Sequence, residues 1–75
     1  MTLEQAPIGG RFRIVDIVRD TQGLHSRLYA LGLYPGAVLN TLRRAPLGDP
    51  LQVKVGHTLL SIRGHEAEFI TVEAT

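Results

Sequence analysis

The sequence predicts a mainly β fold, a small five-stranded barrel with one helix inserted after the first strand. Two observations lead there. Five short runs of β-branched and aliphatic residues are separated by turns bearing glycine or proline. One segment alone, between the first and second runs, carries leucines at helical spacing. Length then limits the architecture. Seventy-five residues make one domain, residues 1–75, and five strands in that length leave no room for a two-layer sandwich with a helix to spare. Curling into a barrel removes most exposed strand edges.

The chain opens on "TLEQAPIGGR" (residues 2–11), a brief helical turn at most, because Pro7 and Gly9-Gly10 stop it. Residues 11–18, "RFRIVDIV", form the first strand. Their alternation slips between Ile14 and Val15, which implies either a bulge or a strand covered on both faces. Residues 20–36 hold the helix, with Leu24, Leu28 and Leu31 at i, i+4 and i+7 on one stripe. Asp20 or Thr21 caps its start. Gly32 supplies the left-handed residue after its last turn, Leu33 folds back onto it, and Pro35-Gly36 turns the chain.

The second strand spans residues 37–44, with ambiguous register. "LQVKV" (residues 51–55) alternates strictly, Leu51, Val53 and Val55 inward and Gln52 and Lys54 outward. Gly56-His57 is a tight turn into a partner strand over residues 58–63. "GHEA" makes a short turn, and residues 68–73 close the barrel, which is SH3-like in strand count and hairpin connection.

Composition narrows function. There is no cysteine, so neither disulfides nor thiolate metal sites hold the fold. Stability is expected at about 4–11 kcal/mol for this length. Net charge is +1, and the eight Lys and Arg are spread from Arg11 to Arg63. That is ordinary solvated charge and not the basic stripe of a nucleic-acid binder. No apolar run spans a bilayer and no secretory pattern opens the chain, so a cytoplasmic protein is expected.

Catalytic constellations are missing. Gly9-Gly10 lead into a strand and not into a phosphate-cradling helix. Ser26 lies beside His25, but adjacent helical residues point apart, so no nucleophile–base pair forms. The expectation is a protein that is not an enzyme and needs no cofactor. His25, His57 and His65 are the good nitrogen ligands, without the spacing of a zinc site. His57 and His65 bracket one strand and, with Glu66, offer a place for an incidental divalent ion; the plainer reading is histidines at strand ends.

Binding is the remaining class. Two Tyr, two Phe and no Trp do not build an aromatic groove for proline-rich peptides. Phe12 and Phe69 are expected in the core. Tyr29 stands off the leucine stripe, and Tyr34 sits in a turn; such rings are common anchors in interfaces, or else cover the barrel end. Leu47, between Pro46 and Pro50, has no strand to hide in. It either plugs the barrel or presents itself to a partner, and the prolines limit the entropy lost on docking.

"LGLYPG" (residues 31–36) followed by "APLGDP" (residues 45–50), with a strand between and an alternating hairpin after, resembles the ferrous iron transport protein A family, FeoA. The resemblance runs from about residue 3 to residue 72 and is strongest over residues 28–62. The matching positions are Leu31, Gly32, Leu33, Pro35 and Gly36, then the six residues 45–50. It implies a cytosolic SH3-like accessory protein that binds the cytosolic GTP-hydrolysing domain of the transporter FeoB and meets the membrane only through it. Partner-contact candidates are then Tyr29, Leu33, Tyr34, Pro35, Pro46, Leu47 and Asp49. Arg43 and Arg44 are positioned as candidates for an arginine finger. Self-association is compatible with such a protein. The rival reading keeps the fold and changes the partner: a free-standing interaction module similar to the C-terminal domain of metal-dependent repressors. An RNA-binding barrel and a direct iron carrier fit less well, for want of basic and aromatic surface and of ligands.

Overall fold

The computed structural model describes residues 1–18 and 23–75. The strands are β1 (Arg11–Ile17), β2 (Val38–Arg44), β3 (Leu51–Val55), β4 (Thr58–Ile62) and β5 (Ile70–Ala74). Helix α1 (Leu24–Ala30) lies between β1 and β2, and a one-turn helix α2 (Gly64–Ala67) between β4 and β5. A 3-10 turn (Leu3–Gln5) opens the chain. All five strands form one antiparallel sheet in the order β4-β3-β2-β1-β5.

Curvature comes from two register shifts. One falls between Ile14 and Asp16, so the slip in the β1 pattern is a bulge. The other falls between Thr41 and Arg43 in β2. Each adds a residue on one side of a pair and increases the local twist, which curls the sheet around its apolar face. That face carries Phe12, Ile14 and Ile17 of β1, Leu39 of β2, Leu51 and Val53 of β3, Ile62 of β4, and Ile70 and Val72 of β5, all buried. Phe69 packs against this core partly buried.

Thr41 is the one buried polar side chain among the described residues. Its hydroxyl donates to the Pro7 carbonyl at 2.7 Å and accepts from the Gly10 N–H at 3.0 Å. The Gly9 N–H donates to the Thr41 carbonyl at 2.8 Å, so one threonine clasps the turn before β1 onto β2.

Three local expectations need correction. The leucine stripe on the helix is Leu24 and Leu28; Leu31 is 40% exposed. Leu31 is the C-cap, still helical with its N–H on the Arg27 carbonyl, and the chain departs at Gly32, one residue after it. There the Leu33 N–H donates to the Leu28 carbonyl at 2.8 Å and the Gly32 N–H to that of Tyr29 at 3.0 Å. This is the Schellman pattern, with Gly32 at φ 92°, and it swings Leu33 into the core, 0% exposed. Second, "GHEA" is helical, because the Glu66 side chain accepts the Arg63 N–H at 3.1 Å and closes the turn. Third, β5 begins at Ile70, two residues later than expected, since α2 takes up the chain before it. The expected caps Asp20 and Thr21 lie outside the described residues; Gly23, at φ 77°, immediately precedes α1.

Candidate functional site

The segment between β2 and β3 is fixed at its base and open at its tip. The Ala45 N–H donates to the Pro50 carbonyl at 3.0 Å, and the Gly48 N–H to that of Ala45 at 2.7 Å, making a tight turn over residues 45–48. Gly48, at φ 88°, leaves this turn through left-handed backbone that glycine adopts without strain. Asp49 then reaches across to α2. Its carboxylate accepts the backbone N–H of Gly64 and a guanidinium N–H of Arg63, the latter at 3.2 Å. The Gly64 hydrogen bond, more than the nearby Arg63 and His65 charges, holds the Asp49 carboxyl below the usual carboxylate range, against the opposing effect of desolvation. The Leu47 side chain projects from this braced turn, 97% exposed. Of the two readings the sequence left for Leu47, this exposure excludes the first: the side chain plugs no end of the barrel.

The other end of β2 carries a different surface. His25 and Tyr29, one helical turn apart, stack with ring centroids 4.3 Å apart, and Tyr34 lies 6.1 Å from Tyr29. Both tyrosines are nearly half exposed, and Pro35 beside them is exposed. Leu33 does not belong to this surface. Buried as the Schellman contact, it offers a partner nothing, which corrects its place among the contact residues.

These two surfaces are separate. The seven residues of β2 stand between Pro35 and the Pro46–Pro50 turn, which puts them about 20 Å apart along the strand. The candidates that a sequence motif joins therefore form two patches: Tyr29, Tyr34 and Pro35 at one end, Pro46, Leu47 and Asp49 at the other.

The histidines do not converge. His57 and His65 lie at opposite ends of β4, five residues or about 17 Å of strand, whereas two ligands of one ion stand about 4 Å apart. The incidental ion that the sequence left open there does not fit this length, and the plainer reading, histidines at strand ends, matches their placement. His25 stacks on Tyr29, and no three His, Asp or Glu side chains gather to hold a metal among the described residues. Arg44 is also committed elsewhere. It donates to the Glu4 carbonyl at 2.7 Å and faces the Glu4 carboxylate at 3.7 Å, tying the opening turn to β2. Arg43 donates to the Gln52 side chain at 2.7 Å on the outer face of the sheet.

One grouping was not legible in the sequence. The register places Arg11 opposite Asn40, Asn40 opposite Lys54, and Arg43 opposite Gln52. With Arg13 exposed on the same strand as Arg11, four of the eight cations share the outer sheet face. Period-two alternation in β1 and β3 was a signal for it, but only the pairing order makes these strands neighbours.

A model of the FeoA domain matches residues 1–74. The chain belongs to the FeoA family. It is similar to the Fe(2+) transport protein A of Helicobacter pylori, 25% identical over 73 residues that cover 97% of this chain and 94% of that protein. The FeoA protein of Chlorobium tepidum superposes with a TM-score of 0.90 at 40% identity, over 99% of this chain and 70% of its own. FeoA of Stenotrophomonas maltophilia, solved in complex with zinc and described as a procaryotic SH3 domain protein, gives 0.83 at 28% identity, over 97% and 89%. The manganese regulator SloR, at 17% identity and a TM-score of 0.85 over 100% of this chain and 34% of its own, shares the fold alone. The FeoA family ties the chain to ferrous iron transport, and the fold is SH3-like, with its five antiparallel strands in one sheet. No helix among the described residues is long and apolar enough to cross a membrane.

Proposed function

We propose that this protein is a small cytoplasmic adaptor of ferrous iron transport that binds the cytosolic GTPase region of an FeoB-type transporter and acts by binding, not catalysis. The observation that carries the reading is Leu47, an apolar side chain 97% exposed on a turn braced at both ends. A braced turn loses little conformational freedom on docking, so burial of Leu47 goes largely into affinity. A single apolar anchor entering a partner's pocket fits the few-residue energetics of protein interfaces. The reading needs no cofactor. The SH3-like fold itself does not choose the partner, since SloR shares it.

The test is titration calorimetry of the full chain against the cytosolic nucleotide-binding part of an FeoB-type transporter, with GDP and with a non-hydrolysable GTP analogue. Binding that depends on the nucleotide, and that Leu47→Ala weakens by about tenfold or more, supports the adaptor reading. Binding that Leu47→Ala leaves unchanged and Tyr34→Ala weakens moves the contact to the aromatic end. No binding in either nucleotide state overturns the proposed partner.

A further inference from the structure

The two edges of the sheet are treated differently. The outer edge of β5 is covered by the start of the chain: Thr2 bridges Thr71, and the Val72 N–H donates to the Met1 carbonyl at 2.8 Å. The outer edge of β4 has no partner strand among the described residues. The two-residue Gly56-His57 turn pairs Val55 with Thr58, which fixes the direction of every backbone group beyond it. Thr58, Leu60 and Ile62 bond to β3, while Leu59 and Ser61 turn their N–H and C=O groups outward.

Natural edges are usually blunted by proline, lysine, a bulge or a covering loop. β4 has none of the first three: its sequence is "TLLSI", its register with β3 is unbroken, and Leu59 is 69% exposed on it. A free, regular, partly apolar edge is a template for strand addition.

Charge selects the occupant. Lys54 lies directly opposite Leu59, and Arg43 and Arg11 follow on the same outer face. Strands β2, β3 and β4 together contain Arg43, Arg44 and Lys54 and no acidic residue. Two strand spacings, about 10 Å, separate Lys54 from an added strand, a gap that a lysine and a glutamate side chain bridge together. A second copy adding at this edge would bring its own Lys54 to the same face, where like charges oppose it. The three strands also carry no aromatic residue on which a nucleobase could stack.

We propose that β4 accepts an extended, acidic segment of another protein as a sixth strand, held by the main chain of Leu59 and Ser61 and steered by Lys54. This surface stands whether or not the transporter is the partner, and the Leu47 variants leave it untouched.

The probe is a peptide of about ten residues alternating Glu and Val, a length that spans β4 with overhang at both ends. It is titrated into the isotopically labelled full chain while amide shifts and hydrogen exchange are followed. The expected result is slowed exchange at the Leu59 and Ser61 amides by about tenfold or more at saturation. Affinity falls as salt is raised, and Lys54→Glu weakens it roughly fivefold without changing the melting temperature. A Lys–Val peptide, and a Glu–Val peptide with central prolines, leave these amides unmoved. No protection at millimolar Glu–Val peptide overturns the proposal, as do shifts confined to residues 45–50. Protection of Leu59 and Ser61 in a dimer of the free chain assigns the edge to a second copy and overturns it too. So does an oligonucleotide that moves these amides where the peptide does not.

Discussion

The Asp49 carboxylate accepts the backbone N–H of Gly64, joining the turn before β3 to the first residue of α2 across fifteen positions of sequence. This bond braces the turn that carries Leu47, and Arg63 reinforces it from the residue before. Because the bond favours the charged form, the folded pKa of Asp49 lies below its unfolded value. The stabilisation is then fully present above the unfolded pKa, near 3.9, and is lost as pH falls through the lower folded value, where the unfolded state binds the extra proton. The melting temperature of Asp49→Ala should lie below that of the parent at neutral pH. The gap should narrow as pH drops below about 4. Melts followed by circular dichroism across that range check it; a gap that is constant with pH would remove the carboxylate from the account.

Leu33 and Leu47 come from the same pair of sequence motifs and should behave oppositely. Leu33 is fully buried, so Leu33→Ala should cost about 2–5 kcal/mol, a large share of the total for a chain of this size. Leu47→Ala removes a side chain already in water and should change stability by less than about 0.5 kcal/mol. Urea unfolding of the two variants separates them, and a destabilised Leu47→Ala would mean that the turn packs on the barrel.

Thr41→Val keeps the shape and removes the hydroxyl that serves Pro7 and Gly10. The Gly10 N–H and the Pro7 carbonyl then lose their partner in a partly buried site, for an expected cost of about 1–3 kcal/mol. Thr41→Ser, which keeps the hydroxyl, should recover most of this. Equal losses for serine and valine would assign the effect to packing of the methyl group instead.

Gly10→Ala tests the approach of that same turn to the core. A Cβ at position 10 would stand 2.5 Å from Cε2 of Phe12, whose ring is itself buried. The ring must shift or the turn must lift, with an overpacking cost of about 1–3 kcal/mol. The shift should appear in the near-ultraviolet and methyl spectra as a local disturbance around Phe12, and an unchanged spectrum with unchanged stability would contradict the contact.

The sequence by itself determined what is local. Each strand is a run of residues whose alternation and flanking turns compete with nothing else, and Gly32 marks the helix end because few residues other than glycine accept its backbone. The β1 bulge was legible as a slip in period, and the family as two motifs held at a set distance. Tertiary structure decided whatever depends on residues far apart meeting. Periodicity alone extended the leucine stripe to Leu31, but the two-turn helix and its reversal chose Leu33, because the core lies on the side toward which the chain turns back. Asp49 entered as a contact candidate, and only the fold brings the Gly64 N–H to its carboxylate. The cations looked scattered because they are spaced along the chain; strand pairing sets Arg11, Arg43 and Lys54 on one face, and pairing order is a property of the sheet that no single strand contains.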